Sequence, residues 1–492
     1  MSNPKPYFKN LFKKRLFLRE LFFLWILCHV SMSANAANWL KLQGTEPPNR
    51  RALLWGFVQP SYTEDFGEKL SNLQGAREGD NGKLIAQNTI SPFFDEQSML
   101  HVRRARLGFR GRIQKTESNS FFSKINYFLL TEFGSNQITH KPFGERDQVL
   151  AVTDLSLTFN HIPGARLRMG LFKKPGPEEL FQAIHVFDYI EFTDFIAREM
   201  LERFPSGNLS PALAGNAPND FTTIGTPVSK AFGFGAGRDW GIQLFDFFQK
   251  DKWELSYAFM AGNGGAIGFN DMQIDKNFDL NFYASANRDL PGGHGPRKNG
   301  AKFFAWYQTG DRFFSSDPQK KEYNRTRYGF GMKALGELMG FRQKLSVELM
   351  FADGMLFVNP LGGIPGNALR FAAEKGNMAR GLTIDYGFFL GEKWQFDFRY
   401  GRNNLLYKQS GPWTPQDERI FQSFTVGAHY HFTPKLRLTF NYIHRKGSAP
   451  NPSSIYNPQA NALVTQNVHE TVSTLGDRIS LQLTWIFEPW KI

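Results

Sequence analysis

The chain has 492 residues, a mean hydropathy of -0.39, 15% aromatic residues and a formal net charge of +13. It is too polar for a bundle of membrane helices and unusually aromatic for a soluble enzyme. The balance of 58 basic to 45 acidic residues would suit nucleic acid or anionic solutes equally, so charge alone does not choose between them.

The N-terminus chooses. Lys5, Lys9, Lys13, Lys14, Arg15 and Arg19 stand against Glu20, Leu21 to Met32 form a short apolar run, and Ala34-Asn35-Ala36 supplies small residues. This pattern predicts a signal peptide over 1–36, cut after Ala36. Its apolar run of about a dozen residues is short of the roughly 20 that span hydrocarbon, which argues against a retained anchor. Cys28 lies inside that segment, so the exported chain is expected to have neither disulfides nor thiol chemistry. Export makes a nucleic-acid partner unexpected. Without the leader, 52 basic and 44 acidic residues remain. No later stretch is apolar enough for a membrane helix, so membrane residence requires a closed barrel.

After a short periplasmic segment expected over 37–50, the chain from 51 to 492 repeats one unit, about ten residues with apolar side chains at every second position. Strands are predicted near 51–62, 99–114, 121–134, 149–160, 164–174, 237–248, 251–262, 279–287, 301–310, 323–336, 342–353, 380–390, 393–402, 421–432, 435–446 and 478–487. The last shows the pattern best: Ile479, Leu481, Leu483, Trp485 and Phe487 alternate with Arg478, Ser480, Gln482 and Thr484. A sandwich would also alternate, but these strands match a tilted bilayer crossing, and their links alternate between short and long. The expected fold is therefore all-β, a transmembrane antiparallel barrel of about 16 strands in the outer membrane. The stretch 279–310 is poorly patterned, and 14 or 18 strands are the alternatives there. Barrels of this size leave a water-filled lumen.

If the apolar face meets lipid, Arg104, Arg106, Arg110 and Arg112 on the second strand point inward. The same phase places Lys124, Arg166, Arg168, Arg325, Arg327, Lys333, Lys344, Arg399, Lys435, Arg437 and Arg478 in the lumen, against Glu132, Asp154, Glu254, Glu348, Asp385 and Asp397. Such a basic excess predicts a passage that prefers anions. The longest link, 175–236, is the third outer loop; its first half is too apolar for disorder and is expected to fold inward as a constriction, partly helical. Glu178 and Glu179 open an acidic run there, with Arg198 and Arg203 among its few cations, so a general or cation-preferring pore is the competing expectation.

At these residues the chain resembles the phosphate-selective porin O and P family. The resemblance runs from Gly56-Phe57-Val58-Gln59-Pro60 through Arg103-Arg104-Ala105-Arg106-Leu107-Gly108 and Gly170-Leu171-Phe172-Lys173-Lys174-Pro175 to the closing strand. It implies a 16-stranded homotrimeric barrel that admits phosphate or similar anions, with Arg104 and Arg106 carried over as lumen residues. The acidic third loop departs from the phosphate-specific members, and the chain runs five residues past Phe487, the aromatic that would normally end it.

No common nucleophilic, nucleotide or zinc motif occurs, so no enzyme activity and no cofactor are expected. His429 and His431 share a strand face, but two histidines alone do not make a metal site. A barrel enzyme, or a structural or adhesive barrel plugged by its loop, is the alternative of another class.

Overall fold

The computed structural model describes residues 38–42, 52–82, 97–114, 120–136, 138–139, 149–201, 237–264, 278–292, 297–313, 322–358, 370–411, 413–451 and 458–491. Hydrocarbon offers no partner to a backbone N–H or C=O, so a spanning sheet must pair every strand on both sides. Sixteen antiparallel strands meet that demand. They are β1 (Leu53–Asp65), β2 (Ser98–Arg112), β3 (Ile125–Glu132), β4 (Ala151–Phe159), β5 (Arg166–Lys173), β6 (Arg238–Lys250), β7 (Trp253–Gly262), β8 (Asp279–Asp289), β9 (Gly300–Phe313), β10 (Glu322–Leu338) and β11 (Phe341–Asp353), followed by β14 (Met378–Leu390), β15 (Trp394–Lys408), β16 (Arg419–Thr433), β17 (Leu436–Ser448) and β18 (Arg478–Lys491). The short β12 (Leu356–Val358) and β13 (Arg370–Ala372) make a separate hairpin in the sixth outer link. Each barrel strand pairs with its chain neighbour, and β1 pairs with β18 to close the sheet. The fold is thus a transmembrane all-β barrel of sixteen strands.

The link lengths sort the two ends. At one end Asp251-Lys252, Met339-Gly340 and Pro434-Lys435 suffice, and the positive φ angles of Met339 (53°) and Gly340 (77°) fit a tight turn between twisted strands. In the outer-membrane pattern this is the periplasmic end. Exposed rings of Phe122, Phe248, Trp253, Phe341, Trp394 and Phe432 gather there, as an interfacial girdle does.

Sequence and structure agree at one doubtful place and differ at others. The weakly patterned 279–310 does hold two strands, β8 and β9, and their link is closed by Asn299, whose N–H donates to the Gly292 carbonyl at 3.0 Å. The residues past Phe487 do not overhang: backbone pairing continues from Gly56 and Phe487 to Leu53 and Lys491. The β12–β13 hairpin and a 16-residue helix, Pro458–Ser473, in the last outer link escaped the period-2 reading. The predicted signal peptide and residues 202–236 of the third loop lie outside the described residues.

Phe330 sits mid-strand in β10, opposite Ala305 and Leu349, and is 48% exposed on the outer face. Phe330→Arg is expected to destabilise the barrel by about 2–4 kcal/mol, the cost of a guanidinium at the bilayer midplane, in denaturant unfolding from lipid vesicles. An unchanged midpoint would contradict a lipid-facing position.

Candidate functional site

The register of β1 on β2 decides what the lumen wall displays. Gln59 lies opposite Arg104, Phe57 opposite Arg106 and Trp55 opposite Gly108, so these side chains share one face. Between Gln59 and Pro60 the register slips, because Pro60 pairs with Val102 and leaves Arg103 without an opposite number. This β-bulge turns two consecutive arginines, Arg103 and Arg104, to the buried side, while Leu100 and Val102 beyond it stay exposed on the outer side. A strict two-residue period cannot show that, and Arg103 escaped the sequence reading for this reason.

The third outer link leaves the wall low. β5 ends at Lys173 after eight residues, where Lys173 pairs with Arg238 of β6. Residues 174–201 then run as short turns, among them Glu178–Phe181 and Ile196–Met200, and are anchored on lumen-facing side chains. Lys173 Nζ donates to the carbonyls of Leu180 at 2.9 Å, Phe181 and Gln182. The loop's carboxylates then meet cations in turn. Glu178 accepts from Lys302 Nζ of β9 at 2.6 Å and from Lys333 of β10 at 3.3 Å. Glu179 accepts from Arg399 of β15 at 2.9 Å, and Asp188 lies 2.7 Å from Lys344 of β11. Glu191 takes a two-pronged bond from Arg103, both at 2.8 Å, with Arg478 of β18 at 3.8 Å.

Backbone and packing contacts complete the attachment. Asn441 of β17 accepts from the Ile190 N–H at 2.8 Å, and Arg437 donates to the Phe187 carbonyl at 2.8 Å. Phe195 packs against Gly381 of β14, where a Cβ would stand 2.6 Å from its ring, so the seat exists only because residue 381 is glycine. Arg198 lies 4.0 Å over the Phe421 ring of β16 and 3.7 Å from Asp194.

On the loop, which is not itself a strand of the wall, ionisation follows these contacts. Burial pushes the Glu178 and Glu191 carboxyls up, but Lys302 and Lys333 on the first and Arg103 and Arg478 on the second outweigh it, and both end below their ordinary value. Asp188 is held well below its ordinary value in the same way, with Lys344 overcoming burial. Burial, with Arg437 and Lys173 nearby, pushes His185 down to about 3, so it is neutral at pH 7.

The predicted lumen cations therefore divide into two sets. Arg399 is closed between Glu179 and Asp385 (2.6 Å), with the Tyr189 ring 3.8 Å from its Cζ. Arg327 is spent on backbone carbonyls of Glu199, Gly354 and Met355, each at 2.9 Å, and Arg325 is buried beside it on β10. The set on β2 to β6 is different. A cavity of about 240 Å³ between the loop and this wall is lined by Arg106, Arg110, Arg168, Lys173 and Arg238, with Asp154 as its one carboxylate. Glu132 holds Arg106 from behind at 2.8 Å and Asp154 holds Arg238 at 2.9 Å. Among the described residues Arg110 has no carboxylate within ion-pair distance, and the one side-chain bond of Arg104 is to Gln59 at 3.3 Å.

Other expected residues fall elsewhere. Arg166 lies 3.4 Å from Asp246 near the short-turn end, and Arg112 ends β2 opposite Asn126. Lys124 is exposed on the turn before β3 rather than set in the wall, because β3 begins only at Ile125. Arg203 lies outside the described residues. His429 sits 2.6 Å from Asp397 and 3.1 Å from Thr439 within the wall's polar network. Asn38, in the stretch read as periplasmic, donates to Glu254 and Ser256 of β7 at 2.7 Å, and Trp39 Nε1 donates to Glu178 at 2.7 Å, so this segment reaches into the lumen.

Replacing Arg399 with alanine would strand Glu179 and Asp385 with half-satisfied charge in a buried place. The expected cost is about 3–5 kcal/mol. It should register as faster proteolysis within 174–201 and a noisier single-channel current, whereas unchanged cleavage and current would show that the clamp is not held by this pair.

No family model matches the chain, and no curated protein matches it. Solved structures similar to it include OprB of Pseudomonas putida at high pH, with 11% identity over 92% of this chain and 96% of that one and a TM-score of 0.48. The outer membrane channel DcaP of Acinetobacter baumannii has 12% identity over 89% and 97%, TM-score 0.44. An anion-selective porin from Comamonas acidovorans has 13% identity over 89% and 99%, TM-score 0.43. At these identities and scores the likeness carries no information on solute or assembly.

Proposed function

We propose that the protein is an outer-membrane porin that lets small hydrophilic solutes diffuse passively and prefers anions such as phosphate. In this reading residues 1–36 direct export, residues 37–50 reach the barrel from the periplasm, the third loop narrows the passage, and the working unit is a homotrimer. The observation that carries the anion preference is the division of charge. The acidic loop is pinned to cations of β2, β9, β10, β11, β15 and β18, so its carboxylates from Glu178 to Glu191 are matched before a solute meets them. What borders the open side is the four guanidiniums of Arg106, Arg110, Arg168 and Arg238 against Asp154, Lys173 being turned to the loop's carbonyls, and even with Glu132 counted the excess is two positive charges. An anion 4 Å from a guanidinium gains roughly 4 kcal/mol at an effective dielectric of 20, against about 1 kcal/mol in bulk water. A few such charges in a narrow passage are enough to set selectivity.

A planar-bilayer recording across a potassium chloride gradient tests this. A stable conductance with a chloride-selective reversal potential is expected, and Arg110→Ala combined with Arg104→Ala should move that potential towards zero. A cation-selective wild type would return the loop's carboxylates to control of the passage. The absence of any conductance would favour a plugged or enzymatic barrel.

A further inference from the structure

We propose that the opening between the third loop and the β1–β6 wall selects planar aromatic carboxylates over small hydrophilic anions. This rests on the anion-preferring reading and adds the apolar half of the solute. The same cavity that presents Arg106, Arg110 and Arg168 is lined by the rings of Trp55, Phe57, Phe128 and Phe172. These rings are on the wrong face for a water-filled barrel. Elsewhere, aromatic side chains such as Phe330, Trp394 and Trp485 point to lipid, and inward ones such as Phe304 and Trp306 are buried in the packed core, whereas these four border open space. Trp55 and Phe57 instead share the face of Arg104 and Arg106 by register. Aromatic residues at positions where the period calls for polar ones break the local rule, and such breaks concentrate at functional sites.

The wall is also shaped around them. Residue 108 is glycine, and a Cβ there would stand 2.7 Å from the Trp55 indole nitrogen, so the indole lies flat across β2 only because that side chain is missing. From the loop side His185 closes the aromatic surface, its ring centroid 5.7 Å from Trp55 and 5.2 Å from Phe57. Neutral at pH 7, it adds ring surface without adding charge. Arg106 lies 5.9 Å from the Phe57 centroid, and Arg168 lies 5.4 Å from that of Phe172, so cation and ring alternate along one surface.

A carboxylate can accept two parallel N–H bonds from one guanidinium while a ring in the same molecule packs on a neighbouring aromatic. Phosphate and acetate offer only the first contact. The cavity, about 240 Å³, is smaller than the roughly 300–1,000 Å³ that enclose a drug-sized molecule, which points to a single-ring acid.

The test is block of the single-channel chloride current of the full-length protein by sodium benzoate and by sodium acetate. Benzoate is expected to interrupt the current at roughly tenfold lower concentration. In Trp55→Ala, and separately in Phe128→Leu, the benzoate-to-acetate ratio should fall towards one, whereas Trp55→Phe and the lipid-facing Trp253→Ala should keep it. Only inserted, folded channels give a trace, so a poorly folding variant does not mimic the result. An anion-selective wild type that benzoate and acetate block equally overturns this inference and leaves the porin reading standing. A ratio that survives both Trp55→Ala and Phe128→Leu overturns the assignment to this cavity. Cation selectivity in the wild type overturns the porin's anion preference, and this inference falls with it.

Discussion

Pairing of the first strand with the last is the constraint on which the rest depends. Ten residue pairs, from Asp65 with Arg478 to Leu53 with Lys491, remove the free edges of a sheet that has no water to satisfy them in hydrocarbon. Closure fixes an inside and an outside, and the two-residue period then assigns each side chain to one or the other. Once the inside exists, a long chain segment can be stored there. Residues 174–201 of the third loop occupy it, tied by charge-assisted bonds to strands on both sides of the β1–β18 seam.

In the proposed anion-preferring reading, those bonds let one lumen be rich in both acids and bases and still present a single sign to a solute. Buried carboxylates are costly without partners, and every one described on the loop between Glu178 and Glu191 has a lysine or arginine within 4 Å. Matching uses up cations such as Lys302 and Arg399. Among the described residues it leaves Arg110 without a carboxylate partner, on a wall that the loop approaches with Ala183, Ile184 and His185. In that reading the position of the loop, rather than the total of 58 basic residues, sets the field of the passage.

The fold was legible because its cause is local. Alternation at Ile479, Leu481, Leu483 and Trp485 against Arg478, Ser480, Gln482 and Thr484 follows directly from the pleat, and the link lengths follow from the two ends facing different compartments. The site was legible only in part. Arg104, Arg106 and Arg110 were reached by phase, but the bulge that adds Arg103 depends on pairing with β1, and no single strand encodes it. Which cations the loop would neutralise depends on contacts more than 100 residues apart, such as Glu178 with Lys302, and the sequence order of charges is silent on them. Trp55 and Phe57 would go to lipid by the apolar rule, and only the register opposite Arg106 and Gly108 turns them inward.

Cysteine accessibility tests the division of the lumen most directly, because Cys28, within the predicted leader, is the chain's only cysteine. Arg110→Cys and Lys302→Cys would each be exposed to a negatively charged methanethiosulfonate during a bilayer recording. The account predicts that the reagent reacts at position 110 and cuts the current stepwise, while position 302, fully buried beneath Glu178, does not react. Reaction at 302 with none at 110 would put the open passage on the other side of the loop and contradict the account.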